Sequence, residues 1–87
     1  MVNYIEKSGS SISEAIIILQ AQDEQEGVQA EYIYLSEKIG KKNIDWELIS
    51  QSLLSHNGRF YDKLNIKLPN GSEKDFYFDI SDFFGKY

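Results

Sequence analysis

The sequence predicts an α+β domain. Its expected order is β-α-β-β-β, with one helix packed on one face of a four-stranded, mostly antiparallel sheet that ends in a three-stranded meander. Three observations carry this. Two Asn-Gly dipeptides, Asn57-Gly58 and Asn70-Gly71, separate extended runs between Trp46 and Phe84, and both residue types tolerate the positive φ that hairpin turns require. A helical apolar stripe begins behind Asp23. An uninterrupted apolar run, Ala15 to Leu19, precedes it.

Residues 1–13 contain the polar stretch from Ser8 to Ser11 and read as a flexible arm. In the run that follows, Ile16, Ile17 and Ile18 are β-branched and leave no polar face. They suit a strand near residues 14–21, buried on both sides in the sheet interior, better than a helix starting at Ser13. If that stretch were helical, the fold would become a helical hairpin on a three-stranded sheet.

The helix is expected over about residues 24–39. Asp23 and Glu26 have capping-box spacing, acids in the first turn suit the helix dipole, and Gly40 supplies a left-handed stop after Lys38. Val28, Tyr32, Leu35 and Ile39 make its apolar stripe.

Strands are expected near 46–54, 60–68 and 72–80. At each Asn-Gly, side-chain sorting favours a three-residue loop. At Pro69-Asn70-Gly71 this pairs Leu64 with Phe76, Phe60 with Ile80 and Lys67 with Glu73, and puts Gly at the bulge position. At His56-Asn57-Gly58 it pairs Leu54 with Phe60, Leu48 with Ile66 and Glu47 with Lys67. The face under the helix then carries Trp46, Leu48, Leu54, Phe60, Leu64, Ile66, Leu68, Phe76, Phe78 and Ile80, with Ser50, Ser52 and Asp62 as polar exceptions, Asp62 lying near the sheet end where it could reach solvent or a backbone donor. In the tail, Phe83 and Phe84 cannot both point one way from a strand, so a short turn should fold an aromatic back onto the body.

Composition bounds the function. With 87 residues the chain is a single domain, and twelve aromatics (six Tyr, five Phe, one Trp) argue for a real core. The absence of cysteine excludes disulfides and thiolate metal sites. No apolar run approaches a membrane span and no signal-peptide pattern opens the chain, so a cytoplasmic location is the default expectation. The net charge of −5 resides in residues 1–40, while residues 41–87 balance to zero; this counts against non-specific nucleic-acid binding through the N-terminal half.

Catalytic chemistry finds little purchase. His56, the sole histidine, falls in a hairpin turn with no nucleophile motif. Asp75, Asp79 and Asp82 lack the glycine and terminal glutamate of a calcium loop, and no glycine-rich phosphate loop occurs. No enzyme activity, cofactor or metal is expected. The one constellation that stands out lies on the outer sheet face, away from the helix: Ile49, Gln51, Leu53, Tyr61, Lys63 and Tyr77. An apolar patch on a polar face marks a partner surface, unless the arm (Tyr4, Ile5) or the tail (Phe83, Phe84, Tyr87) covers it. The expected function is therefore an interaction module that binds a protein partner, or itself as a homodimer, through that face. Tyr61 and Tyr77 beside Lys63 and Lys67 form the alternative, a single-stranded nucleic-acid surface.

Overall fold

A computed structural model describes residues 2–85. Five strands, one more than expected, form a mixed sheet: β1 (Asn3–Ile5), β2 (Ile16–Leu19), β3 (Glu47–His56), β4 (Arg59–Lys67) and β5 (Glu73–Asp79), in the spatial order β1-β2-β5-β4-β3. Helix α1 (Glu24–Lys38) crosses one face. The pairs β1/β2, β5/β4 and β4/β3 are antiparallel, and β2 runs parallel to β5 through Ile16–Phe78 and Ile17–Asp79. The apolar run is thus an interior strand, as its composition implies; among the described residues the helical geometry before it is one 3-10 turn over Ile12–Glu14.

The expected arm is the source of the extra strand. Asn3, Tyr4 and Ile5 pair with Leu19, Ile18 and Ile17, and the Gly9 carbonyl accepts from the Tyr77 amide at 2.8 Å, extending the pairing of β5 beyond the end of β2. Three residues are too few to show a period of two, so the strand exists because β2 offers an edge to it.

At the start of α1 the capping box forms: the Glu26 amide donates to the Asp23 carboxylate at 2.8 Å, and the Glu26 carboxylate accepts from the Gln22 amide at 3.0 Å. The buried face, however, is centred on Gly27, Ala30, Glu31, Tyr34 and Leu35, while Val28, Tyr32 and Ile39 are half-buried along its flank. Small residues at 27 and 30 let the helix sit close: a Cβ on Gly27 would collide with the Phe83 ring, which is 1% exposed beneath it. The tail turn folds as expected, with Phe84 stacked on Phe60 at 4.2 Å; Tyr87 lies outside the described residues.

The two hairpins part company. Gly71 (φ 87°) takes the bulge position of the three-residue loop, and Lys67–Glu73 and Leu64–Phe76 pair as expected, with the Ile80 amide donating to the Phe60 carbonyl. The other turn has two residues, Asn57 (φ 51°) and Gly58 (φ 78°), closing on His56–Arg59. Two positive φ values twist with the strands, so this turn is favoured on its own backbone terms. A β-bulge between Leu48 and Ser50 then adds one residue to β3 and restores Leu48–Ile66 and Glu47–Lys67. Between bulge and turn every side chain of β3 changes face relative to the expectation. Leu54 pairs with Tyr61 instead of Phe60 and leaves the core, and Ser50 and Ser52 join the outer face. The remaining expected core residues are buried, with Leu48, Phe60 and Leu68 half-buried at its margin.

Candidate functional site

The six residues expected to share the outer face are divided by that change of register. Tyr61, Lys63 and Tyr77 do share it, Lys63 pairing directly with Tyr77. Gln51 and Leu53 pair with Leu64 and Asp62, so they lie on the helix side, and Ile49 is the bulge residue. Tyr61 is only 7% exposed, whereas Ile49 and Leu53 are 51% and 55% exposed. The outer patch thus loses its central ring to burial, and its aliphatic part moves to β3.

Strand β3 is the terminal strand of the sheet, and it is open. Eight of its ten residues are exposed and two half-buried. From Leu48 to Gly58 the chain carries no Asp, Glu, Lys or Arg and no proline. Natural sheets guard long edges with charges, prolines or brevity. Here the opposite edge, β1, is short at three residues, and β3 has only the bulge at Ile49. Backbone direction follows from its neighbour. The Phe60 amide donates to the Ser81 hydroxyl at 2.9 Å and its carbonyl accepts from the Ile80 amide at 2.9 Å, so both groups face β5. Ser55, opposite Phe60, therefore directs its own amide and carbonyl away from β4, and at a period of two so do Leu53 and Gln51. An extended segment laid beside β3 would meet these groups.

Beneath the helix flank next to β3 lies a buried polar cluster that sequence reasoning missed. Glu31 is fully buried, and neither of its carboxylate oxygens has a donor. Burial first, then the Asp62 carboxylate as hydrogen-bond partner and as like charge, push Glu31 up to about 10. A proton held on Glu31 supplies the missing donor, directed at Asp62. The amide of Gln51 donates to Asp62 at 3.3 Å, and the Tyr32 hydroxyl donates to Gln51 at 3.2 Å. Asp62, expected to reach solvent or a backbone donor, is instead buried and meets side chains, Gln51 and Glu31. The network has the two carboxyls of an acid–base pair, and its outer members, Gln51 and Tyr32, lead to the β3 edge.

A second missed pair braces the outer face. Arg59 donates to both oxygens of Asp79, at 2.7 and 3.1 Å, and the Ser81 amide donates to one of them at 3.0 Å. Burial raises the Asp79 carboxyl, and these donors outweigh it, leaving the group below the ordinary range. Beside it a shallow groove of about 580 Å³ has Ile17, Tyr61 and Asp79 on the sheet, with Ser11 and Ser13 on one wall and His56 on the other. Lys63 lies over the Tyr77 ring at 5.8 Å and within 3.8 Å of Asp75, an exposed pairing worth little energetically. Among the described residues no group of three or more Asp, Glu or His side chains could hold a metal ion, and no helix is long and apolar enough to cross a membrane.

Compared with protein-family models, curated proteins and solved structures, the chain matches none.

Proposed function

We propose that this chain is a non-enzymatic interaction module, and that it binds a protein by adding one of the partner's extended segments to β3. One observation carries the reading. The edge is ten residues long, uncharged beyond Glu47, and exposes Ile49 and Leu53 on a chain whose other edge is three residues. Main-chain hydrogen bonds to Gln51, Leu53 and Ser55 would supply affinity, and contacts to Leu53 and Ile49 specificity. Of the residues expected to bind, Ile49, Gln51 and Leu53 keep that role; Tyr61, Lys63 and Tyr77 become the braced reverse side. Single-stranded nucleic acid gains no support, because burial of Tyr61 removes half of the stacking pair.

A peptide library displayed on phage and selected on the immobilised protein tests this. Selected sequences should be extended and alternately apolar, should shift the amide resonances of residues 47–56, and should bind at least tenfold more weakly to Leu53→Lys. Selection that yields only binders indifferent to Leu53→Lys, or none on a protein that is monomeric in solution, rejects the reading.

A further inference from the structure

The occupant of β3 is the next question, and its answer rests on β3 being the binding element. We infer that it is a second copy of this chain, whose own β3 pairs antiparallel across a two-fold axis normal to the sheet and passing through Leu53. The regular part of the strand, from the bulge to the turn, is Ser50–His56, and its midpoint is Leu53. Centring the axis there aligns the whole regular segment. It also sets the outward-facing amides and carbonyls of Gln51 and Ser55 against those of Ser55 and Gln51 in the second copy, and Leu53 against Leu53.

Charge supports self-pairing over a charged partner. The chain carries −5, so two copies repel over most approaches, yet the strip from Leu48 to Gly58 has no formal charge and brings none within the contact. Geometry supports it as well. The axis puts both helices on one side of a continuous ten-stranded sheet. Each helix leaves the helix-side surface of its own β3 bare, which is why Leu53 is 55% exposed; the two Leu53 side chains then cover each other in the trough between the helices. The seven residues Ser50–His56 that the axis aligns span roughly 23 Å, a seam as long as β5.

Light scattering coupled to size exclusion gives the first test. The expected species has twice the 10.1 kDa chain mass across micromolar to submillimolar concentrations. Leu53→Lys should shift the protein to monomer with an unchanged far-ultraviolet circular dichroism spectrum, whereas Ile33→Lys, on the exposed helix flank, should leave the dimer intact. Because the chain has no cysteine, single substitutions report position cleanly. Mild oxidation should link Leu53→Cys into a covalent dimer and leave Ser36→Cys unlinked. A monomer throughout, or a dimer that Leu53→Lys does not disturb, overturns the inference. A monomer that still takes selected peptides on β3 would overturn the second copy alone and leave the strand-addition reading standing.

Discussion

Glu31 is the residue on which the chain's response to pH should turn. In the unfolded chain its carboxyl ionises in the ordinary range, but in the folded protein it holds its proton up to about 10. Between those values the folded state carries the extra proton. Its contribution is therefore fully present below the ordinary carboxylate range and is lost as pH rises towards 10, by at most about 1.4 kcal/mol per pH unit. The polar groups that face it are Asp62 from β4 and, through Asp62, Gln51 and Tyr32. Asp79 works in the opposite sense: its lowered carboxyl contributes above its ordinary range and loses that as pH falls. Glu31→Gln keeps a donor for Asp62 without the ionisation. Its melting temperature should exceed that of the parent by a margin that grows from pH 6 to pH 9. Parallel melting profiles for the two proteins would show that no such proton is held. Glu31 was not legible in sequence because a glutamate between Ala30 and Tyr32 reads as a solvated helix position. Asp62 gave the only hint, as the one carboxylate on a face whose other polar residues were Ser50 and Ser52.

At the scale of elements, what could be read depended on whether an element's own residues decide its form. The cap at Asp23, the Gly71 loop and the tail turn are local, and each formed as expected. The β3 register is a compromise between turn and strand. Asn57-Gly58 selects its own two-residue geometry, and the mismatch is absorbed eight residues before Asn57, at Ile49. Sorting side chains along a straight strand could not anticipate an inserted residue, so Leu53 and Leu54 exchanged faces and half of the candidate site went with them. In α1 the exception is Gly27. A glycine inside a helix costs up to roughly 1 kcal/mol against alanine, and propensity alone would make Gly27→Ala, at the end of the first turn, stabilising. Contact with Phe83 reverses that expectation. Gly27→Ala should lose about 1–3 kcal/mol through overpacking, measured by urea unfolding, and pairing it with Phe83→Leu should recover part of the loss. A stabilised single variant would show that the ring yields freely.

Across the whole molecule, the N-terminal segment matters more than its composition suggests. Besides β1, it gives the Tyr4 hydroxyl to the Ala30 carbonyl at 2.8 Å and Glu6 to Lys38 at 2.7 Å, tying the first strand to the helix. A chain beginning at Gly9 should melt roughly 10 °C lower, from a loss of about 2 kcal/mol at the 4–8 °C per kcal/mol usual for this size; a flexible arm would leave the transition where it was. The overall α+β class, the helix and the meander were all visible in sequence, because periodicity reports them directly. The place of the first apolar strand was not, because nothing local says that Ile16 will lie beside Phe78. That parallel junction also sets an order of events. Strand β5 sits between β2 and β4, so the N-terminal half has no sheet to join until β5 has been made. During synthesis Ile16–Leu19 has only the three-residue β1 to pair with, and its other edge stays open through the translation of more than fifty residues. The acids concentrated in residues 1–40 would keep the waiting half from aggregating.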